Sequence, residues 1–197
     1  MPSAMTHIFV AVAAGKAVCP RKTPFGFGLL TMGLAVLPDL DTIGLRLGVP
    51  YESFWGHRGI MHSLLFAVVV SFAAAWLAGA WLRPLFKTRW RLWAFFLVIM
   101  AVHPLLDAMT DGGLGIALLA PFDNTRRFLP WTPIKVSPIG LRGFFSAYGL
   151  EVILSELLCV WLPAAALAAA VRALLWWRGE KRGQATLSIP RRRTRKK

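Results

Sequence analysis

Residues 57–82 read HRGIMHSLLFAVVVSFAAAWLAGAWL. From Leu64 onward the run carries no charge and has the length of a segment that crosses a hydrocarbon core of about 30 Å. That run sets the fold class, because an uncharged helix of this kind faces lipid as readily as protein. The residues just ahead of it, with His57, Arg58 and His62, are the opposite in character, and they pose the functional question.

The rest of the chain agrees with a bilayer as solvent. Of its 197 residues 56% are hydrophobic and 16% charged, and the mean hydropathy is +0.56. Four stretches qualify as membrane helices or parts of them, at about residues 24–38, 60–82, 92–109 and 150–177, the first of them short. Residues 5–18 form a shorter apolar piece, interrupted by Gly15 and Lys16, suited to a half-buried or re-entrant helix. Nothing there has the basic start and cleavage site of a removable signal peptide. Residues 112–149 are rich in Gly and Pro and read as loops and interfacial pieces. The expectation is an all-α integral membrane helical bundle, with about four spans and a short N-terminal helix, as one domain over residues 1–177. Residues 178–197 read as a basic, disordered tail.

The net charge of +14 would suit a nucleic-acid binder if it formed a patch on a binding motif. Instead six of the 23 basic residues form the terminal run RRRTRKK, without any such motif, so nucleic acid is set aside and anionic lipid headgroups are the expected partner. Cys19 and Cys159 lie far apart, which indicates neither a disulfide framework nor a thiolate metal site. Lys and Arg are retained on the cytoplasmic side of membrane proteins. Arg83, Lys87, Arg89, Arg91 and the tail form the strongest clusters, and Lys16, Arg21, Lys22, Arg172, Arg178, Lys181 and Arg182 fall on the same side as they do. Arg46, Arg58, Arg126, Arg127, Lys135 and Arg142 fall on the other.

With that orientation the chemistry-bearing residues converge on the outer end of the spans. His7 precedes the first apolar piece, Asp39 and Asp41 close the second in LPDLD, and His57 and His62 open the third. His103, Asp107 and Asp111 end the fourth in HPLLDAMTDGG. Ionisable groups are expensive in and near a bilayer, so a gathering of them marks a polar, functional cavity. His103 and Asp107 are spaced i, i+4 and share a helix face; an imidazole and a carboxylate there can share an ion, or the acid can orient the ring. Asp39 and Asp41, at i, i+2, point to different faces of a regular helix, yet Pro38 can break it and turn both inward. Two close carboxylates repel unless a cation or proton lies between them. His57 and His62 are i, i+5, and Gly59 permits the turn that would bring them together, with Ser63 in a supporting hydrogen bond. Imidazole and carboxylate without thiolate suit Zn, Mn or Fe, and the supply of ligands favours two ions. Such a site activates water and clamps a phosphoryl group. Bland readings exist for each residue: Asp111 can stabilise the Gly turn, and Arg126 and Arg127 can anchor to headgroups.

The motifs THIFVAVAAG, LPDLD, HRGIMHS, HPLLDAMTDGG and APFDNTRRFLPWTPIKVSPIG, in that order over about residues 5–140, resemble those of the membrane-bound, metal-dependent hydrolases. Some bacterial members of that family are described as LexA-regulated inner-membrane hydrolases, and the family is distantly similar to zinc-dependent phospholipase C and single-strand nucleases. The resemblance implies an inner-membrane enzyme whose His7, Asp39, Asp41, His62, His103 and Asp107 bind metal, with zinc the leading ion. It places His57 and Arg58 close to the reacting group. An N-terminal tryptophan ligand of those enzymes has no counterpart here. The reaction expected is hydrolysis of a phosphoester, on a lipid-like or other phosphorylated substrate, by metal-activated water at the outer membrane face. His57, Arg58 and Asp111 are the expected catalytic groups, and Arg58, Arg126 and Arg127 the substrate-binding ones. Two other readings compete: a proton- or ion-coupled transporter, to which Glu151 and Glu156 in the last span lend some weight, and a non-catalytic scaffold with a structural metal.

Overall fold

The computed structural model describes residues 1–19, 24–82, 85–138 and 140–187. Among these the regular structure is all helical, with isolated bridges such as Thr110 with Ile134 and Ile116 with Arg127 in place of strands. The helices are α1 (Ala4–Val18), α2 (Phe25–Val36), α3 (Thr42–Arg46), α4 (Leu64–Ala78), α5 (Arg89–Ala108), α6 (Leu141–Phe144), α7 (Ala147–Glu156) and α8 (Leu162–Leu187). Three continuous helical segments are long and apolar enough to cross a membrane: Phe25–Arg46, Arg89–Ala108 and Ala147–Arg178.

Two expectations change in detail. The short first span is longer than its apolar stretch, because LPDLD does not break the helix. It tightens into a 3-10 turn, Leu37–Asp41, that leads on into α3, with Pro38 in its first turn, where a missing N–H costs nothing. The stretch read over 60–82 yields a helix of only 15 residues, about 22 Å at 1.5 Å per residue, short of the roughly 30 Å core. After Ala78 the chain continues in turns, and Leu82, 2% exposed, joins the core instead of facing lipid. At the other end the last helix continues to Leu187. The remainder of the basic tail, residues 188–197, and Arg21, Lys22 and Arg83, all used to orient the chain, lie outside the described residues.

Between helices in a membrane, packing and hydrogen bonding replace hydrophobic burial as the source of association. α2, α4 and α5 meet through Phe27, Leu34, Ala67, Ala75, Phe96 and Met100. A second, smaller contact joins α1, α2 and α5 through Ala11, Ala35 and Ile99, all less than 5% exposed. Each of these three lies four residues from an ionisable group on its own segment: His7, Asp39 and His103. Residues four apart share a helix face about one turn from each other. The small side chains of Ala11 and Ala35 let the backbones approach closely, and one turn further along, the same approach forces His7, Asp39 and His103 together.

Candidate metal centre

Building from α5, His103 (1% exposed) donates through Nδ1 to the Ala35 carbonyl at 2.7 Å. A carbonyl only accepts, so Nδ1 carries the proton and the neutral ring presents the lone pair of Nε2 inward. That atom lies 3.1 Å from His62 Nε2, 3.4 Å from Asp39 Oδ1 and 4.0 Å from Asp107 Oδ2. His62 Nε2 in turn lies 3.3 Å from Asp107 Oδ2 and 3.6 Å from Asp39 Oδ1. One ligand atom from each of Asp39, His62, His103 and Asp107 falls within 4.8 Å of all the others. His7 completes the wall: its ring stacks on His103 with centroids 3.8 Å apart, and its Nε2 lies 3.3 Å from Asp107 Oδ1.

The cost of this arrangement is electrostatic. Both carboxylate oxygens of Asp39, both of Asp107 and Nε2 of His7 are buried without a hydrogen-bond partner. Groups of this kind, left bare, cost several kcal/mol each. A divalent cation among them satisfies the oxygens and the facing Nε2 lone pairs at once, and the donor set is the imidazole and carboxylate mixture that such ions take. The residues present therefore fit an ion.

Asp39 and Asp41 do face different directions, as their spacing requires, and both still reach the site because His62 stands between them. Its Nε2 edge faces Asp39, while Nδ1 lies 2.9 Å from Asp41 Oδ2, out of line for a hydrogen bond. Asp41, His57 and His62 form a second group of potential ligands, but here the acid is already engaged. Asp41 Oδ1 pairs with His57 Nδ1 at 2.6 Å, and Oδ2 accepts the Arg58 N–H at 3.0 Å. His62 is delivered by a 3-10 turn, Ile60–His62, and Ser63 caps α4 by accepting from the Phe66 N–H, the supporting hydrogen bond expected of it. The turn depends on Gly59, where a Cβ would stand 2.3 Å from the Phe54 carbonyl oxygen. Gly59→Ala is expected to displace the loop and to lower stability by about 1–3 kcal/mol, measured as a fall in unfolding temperature in detergent.

The arginines are placed otherwise than a substrate-binding role suggests. Arg58 is completely buried, with φ at 64°. Its Nη1 donates to the Gly112 carbonyl and Nη2 to Thr110 Oγ1, and Nε lies 3.7 Å from Asp107 Oδ2. Arg126 donates to the carbonyls of His57, Tyr51 and Ser53, holding the 51–58 loop; burial lowers its pKa against the pull of Tyr51 and Asp41. Arg127 is 64% exposed and pairs with Asp123 at the surface. Asp111 is exposed and accepts the Val136 N–H, the turn-stabilising alternative. Thr110, which the sequence reading passed over, is buried and links the site by donating to the Asp107 carbonyl while accepting from Arg58; its place between Asp107 and the Gly pair was the only signal.

Comparison with known proteins agrees on the setting. The YdjM inner membrane protein family matches residues 1–183. The chain is 38% identical over 178 residues to inner membrane protein YbcI of Escherichia coli (strain K12), an alignment covering 90% of this chain and 99% of that protein. No solved structure matches. These names speak of the inner membrane and of no reaction or metal, so the chemistry rests on the site itself. A match over nearly the whole chain, spanning every segment that supplies a member of the buried cluster, shows that the protein belongs to the YdjM inner membrane protein family.

Proposed function

We propose that the chain is a membrane-bound, metal-dependent hydrolase acting on a phosphoester of a lipid-like or other phosphorylated substrate. The observation that supports this most is the group of Asp39, His62, His103 and Asp107, four buried side chains with converging ligand atoms and unpartnered carboxylate oxygens. We assign one ion to this group, with His7 beside it, and zinc as the leading candidate. When bound, such an ion supplies a Lewis acid and lowers the pKa of water.

The second group then needs no ion. Asp41 holds His57 through Nδ1, fixing the ring so that its other nitrogen is free to take or give a proton, the relation of a general acid/base to its orienting acid. Arg58 sets its positive charge beside Asp107 and, with both Nη atoms engaged by Gly112 and Thr110, acts on the site's charge and not on the substrate. The sidedness follows the Lys and Arg distribution: the site faces the periplasm and the tail the cytoplasm.

A structural ion without turnover is the second reading, favoured by the near-complete burial of all four residues. The two are separated by assaying the purified chain on phospholipids, phosphomonoesters and nucleotides before and after chelation. The hydrolase reading expects turnover that chelation abolishes and Zn(II) restores. In His57→Gln, turnover is expected to fall by about 10²–10⁴-fold with ion content unchanged. An ion-loaded chain inactive on every ester would establish the structural role instead.

A further inference from the structure

Among the described residues, the one buried acid that this chemistry does not use is Glu156, toward the start of the last membrane segment and 0% exposed. It forms no ion pair among them, although its charge reaches the buried Met1 amino group. Its oxygens accept from the Ser3 backbone N–H, from Ser3 Oγ at 2.6 Å and from Thr6 Oγ1 at 2.7 Å. Thr6 Oγ1 also accepts from Trp161 Nε1 at 2.6 Å, and since an indole N–H only donates, the Thr6 proton is directed to Glu156. The Trp161 ring also stacks on Phe9, centroids 5.1 Å apart.

Two features show that this network is built at a cost. Residues 157–161, directly after Glu156, form a π-helix, closed by the Leu162 N–H on the Leu157 carbonyl. In an α-helix of about 3.6 residues per turn, positions five apart stand on different faces. Winding with i→i+5 bonds stacks them, and so turns Trp161 to the side of Glu156. Ser3, for its part, occupies the N-cap of α1 but makes no side-chain cap bond; its hydroxyl is turned to Glu156 instead, and a cap of this kind is ordinarily worth about 1 kcal/mol.

Thr6 precedes His7, and on a helix neighbouring residues point about 100° apart. Thr6 faces the last segment while His7 faces α5. Resting on the metal reading above, we infer that Glu156, Thr6 and Trp161 form a positioning clamp, which sets the rotation of α1 and thereby presses His7 against His103 and Asp107. They are positioning residues and touch no reacting atom.

The test uses the full chain in detergent, with Co(II) as the probe and ¹⁵N-histidine NMR of the ion-free protein. Thr6→Val and Trp161→Phe are expected to weaken Co(II) binding by about 10–100-fold, the range for groups that orient a ligand. Thr6→Ser, which keeps the hydroxyl, is expected to retain it. In a His7→Ala background Thr6→Val should cost nothing further. The His7 resonance should move in Thr6→Val while that of His57 stays. An unmoved His7 resonance, or an equal loss with and without His7, overturns the clamp. A wild-type chain that binds no Co(II) but whose His7 resonance moves in Thr6→Val refutes the metal reading and upholds the clamp.

Discussion

In the His62→Ala chain, divalent-ion binding is expected to fall by more than about 100-fold, beyond the roughly 10–100-fold that follows loss of a group outside the ligand set. His62 is fully buried and belongs to both groups of potential ligands. Its Nε2 is within 3.6 Å of Asp39 and Asp107, and its Nδ1 edge faces Asp41. Without it three carboxylates confront one another across an empty space, and the ion loses one of the two nitrogen donors of its group. The measurement is competition with a chromophoric chelator, accompanied by circular dichroism to show that the helices persist. Affinity within a few-fold of wild type would remove His62 from the ligand set.

Arg58→Met is expected to have the opposite signature. The guanidinium is completely buried, bonded to Gly112 and Thr110 and set beside Asp107. Removing one partner of a buried charged pair leaves the other uncompensated, at a cost of about 3–5 kcal/mol. The unfolding transition should therefore drop sharply, read by denaturant titration in detergent. Cation binding should be as tight as wild type or tighter, because a positive charge next to Asp107 has gone. Part of the stability should then return on adding the ion, about 2.7 kcal/mol at a free concentration 100 times the Kd. If Arg58→Met instead lost ion binding with unchanged stability, the residue would be working as part of the site and not as its counter-charge.

The contrast between these two variants marks how far the sequence could be read. The i, i+4 spacing of His103 and Asp107, the acids of LPDLD and the paired histidines of HRGIMHS were legible because local periodicity decides which face a residue takes. The structure gathers them as expected. It also explains how Asp39 and Asp41 both point inward without a broken helix, by placing the His62 ring between them. What was not legible depends on pairings far apart in the chain. Whether Arg126 meets a phosphate or the carbonyls of residues 51–57 depends on loops some 70 positions away, and the partners of Glu156 lie 150 or more positions distant. The length of α4 was not legible for a related reason: hydropathy cannot tell a residue that extends a helix into lipid from one, like Leu82, that packs in the protein core beyond the helix end.

The idea underlying all of this is that histidines and aspartates from three helical segments and one loop surround a divalent cation. X-ray absorption at the metal edge of the purified chain tests it most directly. The expected spectrum shows a shell of nitrogen and oxygen only, at about 2.0–2.2 Å, with the outer scattering of imidazole and no sulfur. A purified chain that carries no ion and takes up none on reconstitution, or a shell containing sulfur from Cys19 or Cys159, would contradict it.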